Sequence, residues 1–254
     1  GDVATTSTGQ PRAIVIVSGA NGAVLGTFPD SAFSSATDLA LRTLPDLDGD
    51  GRPEVLATES GRFVRILDSF PVPTTLTISG LPGSSTNLGR DGAGFADLDG
   101  DGVVELLLAD NGALLSFPLG VIYIVSPTTG ALIDTLREAP GGPSMGATSI
   151  AGIGDLDGDG HGDVLFPPRE NVPSELAVLS GRTRTWRWYW NSSPPIDRLG
   201  VRNQGLCSLG DVDGDGFEDL AIGNSGALSQ RGQVTVLSGR FLAYSTRVPT
   251  VRRT

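Results

Sequence analysis

Sixteen carboxylates recur at positions 1, 3, 5 and 9 of four similar nine-residue stretches. These are Asp46-Leu-Asp48-Gly-Asp50-Gly-Arg52-Pro-Glu54, Asp97-Leu-Asp99-Gly-Asp101-Gly-Val103-Val-Glu105, Asp155-Leu-Asp157-Gly-Asp159-Gly-His161-Gly-Asp163 and Asp211-Val-Asp213-Gly-Asp215-Gly-Phe217-Glu-Asp219. Carboxylates about 4 Å apart repel by several kcal/mol per pair at intermediate dielectric. Such a cluster is stable when a hard cation sits inside it. Side chains at positions 1, 3 and 5 of a tight loop converge on one point, and Gly at positions 4 and 6 permits the sharp turn. The backbone carbonyl of position 7 (Arg52, Val103, His161, Phe217) and the position-9 carboxylate then close an all-oxygen shell. That donor set suits a divalent ion, and its size and flexibility favour Ca²⁺ over Mg²⁺. Four Ca²⁺ sites are expected.

An EF-hand is excluded. Its loop needs an acid at position 12 and helices on both sides. Position 12 here is Ala57, Leu108, Phe166 and Ile222. Each loop leads instead into a short apolar run: Val55–Ala57, Leu106–Ala109, Val164–Phe166 or Leu220–Gly223. Short runs bounded by Gly, Pro or charge read as strands. Another such stretch, for example Ser149-Ile-Ala-Gly-Ile-Gly154, precedes the loop, so each loop joins a hairpin.

A second unit recurs behind the first. Ile14-Val-Ile-Val-Ser-Gly, Ile122-Tyr-Ile-Val-Ser-Pro, Leu176-Ala-Val-Leu-Ser-Gly and Val234-Thr-Val-Leu-Ser-Gly each read as strand, turn, strand, with Phe63-Val-Arg-Ile-Leu-Asp a degenerate copy. The loops start 51, 58 and 56 residues apart, the period of a repeat architecture. Four antiparallel strands in about 55 residues make one propeller blade. The expected fold is all-β: one β-propeller domain over residues 1–254, with four complete four-stranded blades and an incomplete N-terminal blade. The expected bounds are 1–30, 31–79, 80–137, 138–191 and 192–246, with a tail at 247–254. Asp2-Val-Ala-Thr-Thr aligns with Asp219-Leu-Ala-Ile-Gly, so the first blade lacks the strand before it and leaves an open edge. The tail, a neighbouring copy or further chain could each complete it.

The pattern between the strands resembles the FG-GAP repeat, the blade of integrin α-subunit propellers and of many secreted bacterial proteins. The resemblance covers essentially the whole chain, and Asp211 through Gly239 matches it best. Phe-Gly itself is echoed only by Leu88-Gly89, Met145-Gly146 and Leu199-Gly200, and Gly-Ala-Pro by Gly223-Asn-Ser. The resemblance implies Ca²⁺ held through positions 1, 3, 5, 7 and 9, between the first and second strands of a blade. Family members usually carry about seven blades, more than this sequence supplies.

The net charge of −11 belongs to the loops. Beyond the sixteen recurring carboxylates, 13 acids face 18 basic residues, all Arg, and four divalent ions would bring the total to −3. The low isoelectric point therefore reports metal sites and gives no support to nucleic-acid binding. No apolar run reaches the roughly 18–20 residues of a membrane span. The sequence opens at Gly1 with neither Met nor signal peptide, as a mature form would. Cys207 is the single cysteine and reads as a small apolar strand residue.

The remaining candidates carry less chemistry. Gly142-Pro-Ser144-Met-Gly146 matches a nucleophile elbow but lacks the strand-to-helix context. The one histidine, His161, lies inside a metal loop, and there is no Lys, so few general bases serve near neutral pH. Trp186, Trp188 and Trp190 alternate on one strand, extended by Arg182 and Arg184. They either fill the gap between blades near the rim or form a platform for a sugar or protein. Asn191-Ser-Ser193 is a glycosylation sequon. The expected function is a non-catalytic extracellular module for adhesion, recognition or assembly, binding a protein, a glycan or its own copies by strand addition. The alternative is a polysaccharide lyase or hydrolase on the same scaffold.

Overall fold

The computed structural model describes residues 3–6, 13–29, 39–59, 63–67, 75–79, 81–84, 88–98, 101–110, 121–137, 150–166, 175–191, 205–224 and 232–244. Among these residues, eighteen strands fall into five antiparallel sheets, each built from consecutive strands. The first holds β1 (Val3–Thr6), β2 (Ala13–Val17) and β3 (Val24–Pro29). The second holds β4 (Leu39–Thr43), β5 (Val55–Glu59), β6 (Phe63–Leu67) and β7 (Thr75–Ile78). The third holds β8 (Leu88–Gly94), β9 (Leu106–Asp110), β10 (Val121–Val125) and β11 (Leu132–Arg137). The fourth holds β12 (Ala151–Ile153), β13 (Asp163–Phe166), β14 (Glu175–Leu179) and β15 (Trp186–Asn191). The fifth holds β16 (Leu206–Gly210), β17 (Asp219–Asn224) and β18 (Gln233–Leu237), followed by the helix α1 (Gly239–Tyr244). Five meandering sheets fit a β-propeller.

Alternate residues of each middle strand serve two different cores. Leu106 and Leu108 of β9 pack with Leu56, Val64 and Ile66 of the second sheet. Leu107 and Ala109 of the same strand pack with Val164, Phe166, Ala177 and Leu179 of the fourth. Leu165, Leu176 and Val178 turn the other way, onto Leu206, Leu220 and Ile222 of the fifth. Ile14, Ile16 and Phe28 of the first sheet meet Val55, Ala57 and Leu67 of the second. A strand buried on both faces has no polar side, so its sequence is a continuous apolar run. That is why Leu106-Leu-Leu-Ala and Val164-Leu-Phe lack alternation.

Glycine sets how closely neighbouring sheets approach. A Cβ on Gly152 of β12 would lie 2.7 Å from the Gly94 carbonyl of β8, and one on Gly92 would lie 2.6 Å from Leu56 Cδ2. The register of β8 shifts between Leu88, opposite Asp110, and Gly92, opposite Leu108. The extra residues form a bulge that contains Asp91. A bulge of this kind re-aims a side chain.

The last sheet departs from expectation. Among the described residues, α1 rather than a fourth strand follows β18. Its residues Arg240-Phe-Leu-Ala-Tyr244 hold no β-branched side chain, and Leu and Ala favour helix. Leu242 is buried in the core between the fourth and fifth sheets. The first sheet has three strands, and β1 pairs with β2 as β17 pairs with β18.

Candidate metal centres

Each acidic loop joins the first two strands of a sheet: β4 to β5, β8 to β9, β12 to β13 and β16 to β17. The loops fold on their own side chains. The Asp46 carboxylate accepts the N–H groups of Gly49 at 2.7 Å and Gly51 at 2.8 Å. Asp155 accepts those of Gly158 and Gly160, both at 2.7 Å, and Asp211 those of Gly214 at 2.7 Å and Gly216 at 2.9 Å. In the second loop Asp97 accepts Gly102 N–H at 2.9 Å. The described glycines at positions 4 and 6 take positive φ, 81° and 87° at Gly49 and Gly51, which L side chains disfavour. The Gly51 N–H leads the contacts that hold the Asp46 carboxyl below the usual carboxylate range.

Position 9 has a structural task beyond coordination. Its carboxylate reaches back to the N–H of position 2: Glu54 to Leu47, Glu105 to Leu98, Asp163 to Leu156 at 2.9 Å and Asp219 to Val212 at 3.0 Å. The other oxygen of Asp163 accepts Gly181 N–H at 3.0 Å, and that of Asp219 accepts Gly239 N–H at 3.0 Å. One carboxylate thus joins the loop to the turn that ends the sheet's third strand. All four position-9 side chains are buried. Burial, aided by the negative charge of Asp157 and Asp159, raises the Asp163 pKa to about 7 against those N–H groups.

The carboxylates converge. Oxygens of Asp46, Asp48, Asp50 and Glu54 lie within 4.8 Å of one another. So do those of Asp97, Asp101 and Glu105, of Asp155, Asp157 and Asp163, and of Asp211, Asp213 and Asp219. Two oxygens that share one Ca²⁺ at about 2.4 Å are at most about 4.8 Å apart, so each group fits a single ion. Asp99 lies outside the described residues.

Position 5 divides the loops into two kinds. Asp50 and Asp101 belong to the convergent groups. Asp159 and Asp215 do not; they accept Ser180 Oγ at 3.0 Å and Ser238 Oγ at 3.4 Å. At position 7, the N–H groups of Arg52, Val103, His161 and Phe217 donate to the position-5 carboxylate at 2.8, 2.8, 2.9 and 3.0 Å. The Ser-Gly partners were missed as site residues in the sequence, although the doublet recurs at Ser18-Gly19, Ser180-Gly181 and Ser238-Gly239. A Cβ on Gly181 would lie 2.1 Å from the Gly162 carbonyl, and one on Gly239 2.0 Å from that of Glu218. Glycine is required because the turn touches the loop backbone.

Of the aromatic candidates, Trp186 is half-buried and meets Phe166 edge-on, with centroids 5.0 Å apart at 69°. The β14–β15 register shifts between Leu176, opposite Trp190, and Ala177, opposite Trp188, which interrupts the alternation of the three. The side chains of Trp188, Trp190 and Asn191 lie outside the described residues, as do residues 142–146. Arg184 pairs with Asp134 of β11, and Arg182 Nη1 donates to the Asp159 carbonyl at 3.3 Å. Cys207 lies on β16 as an exposed free thiol.

The FG-GAP repeat model matches residues 207–237, and the FG-GAP-like repeat model matches residues 46–108. Integrin alpha-4 of Xenopus laevis is 25% identical over 169 residues, covering 60% of this chain. The chain spans only 16% of that relative's length. Among solved structures, the exotype rhamnogalacturonan lyase YesX is similar at a TM-score of 0.42 and 16% identity, over 82% of this chain and 46% of that one. A Bacillus licheniformis rhamnogalacturonan lyase reaches 0.39 and 17%, over 82% and 47%. At both of these segments the chain therefore carries repeats of the FG-GAP type, and it is similar to an integrin α subunit.

Proposed function

We propose that this chain is an extracellular calcium-binding propeller module that binds rather than catalyses. The observation that carries the reading is the convergence of loop carboxylates around single points. At two of these points one wall, Asp163 or Asp219, is a side chain that also braces the next turn. Four ions are assigned, one per loop, with Asp99 and the position-7 carbonyls completing the shells. A bound cation would neutralise the charge that otherwise drives the loop carboxylates apart. The role of the chain's own residues is to hold the loop hairpins rigid on one rim, where a partner can read them. Millimolar extracellular calcium suits sites of modest affinity, which supports a secreted or cell-surface location.

The partner is a protein or a glycan, or a second copy that adds a strand beside β1. The non-catalytic reading is supported by the chain's acid–base inventory. Asp91, with a pKa raised to about 6, is fully buried and withheld from a substrate. Glycan and extracellular-protein arrays, probed with calcium and with EDTA, test the proposal. A calcium-dependent hit is expected; depolymerisation of an acidic polysaccharide by the pure protein would overturn it.

A further inference from the structure

The four acidic loops share their acids but not the turns that face them. Strand register aligns those turns. Position 10 of each loop pairs with the last residue of its sheet's third strand: Val55 with Leu67, Leu106 with Val125, Val164 with Leu179 and Leu220 with Leu237. In sequence, the next two residues are Asp68-Ser69, Ser126-Pro127, Ser180-Gly181 and Ser238-Gly239. The turn and position 9 change together. Ser-Gly occurs where position 9 is Asp163 or Asp219, and each of these carboxylates accepts the glycine N–H at 3.0 Å. Where position 9 is the longer Glu54 or Glu105 the doublet is absent, and Pro127 has no N–H to give.

The turn also decides where position 5 points. In every loop its Oδ1 accepts the position-7 N–H. The second oxygen differs. Oδ2 of Asp159 accepts Ser180 Oγ–H at 3.0 Å, and Oδ2 of Asp215 accepts Ser238 Oγ–H at 3.4 Å. These two carboxylates stand outside the convergent groups. Ser126, at the equivalent place in the third sheet, meets Thr128 Oγ1 at 3.0 Å instead, and Asp101 belongs to its convergent group, as Asp50 does to its own.

We infer that Ser180 and Ser238 are restraints that divide the calcium sites into two affinity classes: a tight pair in the second and third sheets and a weaker pair in the fourth and fifth. The inference rests on the calcium reading above and deepens it. Calcium affinity follows ligand charge count and site rigidity. In the tight pair, position 5 adds its charge at the ion. In the weaker pair it does so only by giving up its serine, a hydrogen bond to a charged group that is worth roughly ten- to a hundredfold in an equilibrium. The brace from position 9 to the glycine makes the weaker pair more rigid. That rigidity fixes position 5 away from the ion, so charge count decides the order. The same two bonds need no metal, so the loops of the fourth and fifth sheets keep their shape at low calcium. Uptake then proceeds in two steps, the second and third sheets first.

Calorimetric Ca²⁺ titration of the full chain, stripped of metal beforehand, tests the inference. The wild type is expected to show two classes of site separated by about tenfold or more. Ser180→Ala lets Asp159 turn to the ion, so one weak site should tighten by roughly tenfold. A serine that only supported the fold would give the opposite sign. Ser238→Ala should tighten its own site by less, because its contact is longer, 3.4 against 3.0 Å. Ser238 is also only half-buried, so this variant keeps the sign readable if Ser180→Ala does not fold. Ser126→Ala should leave every site unchanged. Asp159→Asn should barely alter calcium affinity, whereas Asp50→Asn should weaken its site by about tenfold or more. Four equal sites, or weaker binding in Ser180→Ala and Ser238→Ala, would overturn the inference and leave calcium binding standing. Absence of any calcium uptake would overturn both.

Discussion

Arg42 Nη2 lies 2.8 Å from Asp91 Oδ2, joining β4 of the second sheet to the β8 bulge of the third. The same oxygen accepts Ile150 N–H at 2.9 Å at the entrance to the fourth sheet, and Gly92 N–H donates to Oδ1 at 2.9 Å. One buried carboxylate therefore connects three successive sheets.

This carboxylate predicts an unusual pH dependence. Burial, opposed by Arg42 and by the Ile150 and Gly92 N–H groups, raises its pKa to about 6. Between the unfolded value, near 4, and about 6, the folded state binds more protons than the unfolded one. Stability from this site is therefore full at low pH and declines as pH rises through the folded pKa. Urea unfolding in EDTA, comparing wild type with Asp91→Asn, should show the wild-type advantage shrinking from about pH 4 to about pH 6. Asp91→Ala removes the buried carboxylate that Arg42 and two N–H groups share and should cost about 3–5 kcal/mol. A difference from Asp91→Asn that is flat with pH would contradict the assignment.

Metal removal should be the largest single perturbation. A site at one hundred times its Kd adds about 2.7 kcal/mol, and four sites act together. EDTA is expected to lower the melting temperature by many degrees, and Ca²⁺ to restore it with greater effect than Mg²⁺. An unchanged melting curve would refute calcium binding.

Positions 3 and 9 of the metal loops should behave differently. Asp163 accepts N–H groups from Leu156 and Gly181, whereas Asp213, at position 3 of its loop, accepts among the described residues only Asp215 N–H, at 3.1 Å. Asp163→Ala leaves two N–H groups unpaired and should cost about 2–5 kcal/mol even in EDTA. Asp213→Ala should leave the EDTA-treated protein nearly unchanged and reduce the calcium-induced gain. Equal losses with and without calcium for both would show that position 9 has no separate bracing role.

Much of this was legible in the sequence because the repeated chemistry is local. Four loops with acids at fixed offsets need no long-range information, and strands buried on both faces appear as apolar runs. What escaped depends on residues far apart in the chain. Arg42 and Asp91 are 49 residues apart, and nothing near Asp91 signals a partner. The Gly181 N–H meets Asp163 across 18 residues. The helix at Gly239 follows a Ser-Gly doublet that elsewhere turns into a strand, and tertiary burial of Leu242 separates the two outcomes.

The Ser-Gly turn yields the last prediction. Gly181 takes no positive φ, so its requirement is purely one of space: a methyl there would overlap the Gly162 carbonyl at 2.1 Å. Gly158, in the loop itself, has φ of 77° and open space around its Cβ direction. Gly158→Ala should therefore cost only the backbone strain, about 1–2 kcal/mol. Gly181→Ala must push the turn off the loop, breaking the Asp163 contact and the Ser180–Asp159 hydrogen bond together. Its loss should exceed that of Gly158→Ala in EDTA and widen further in calcium, since the displaced Asp163 is also a ligand candidate. Calorimetric unfolding of the two variants in both conditions decides the matter, and equal losses would mean that the turn and the metal loop are not mechanically linked.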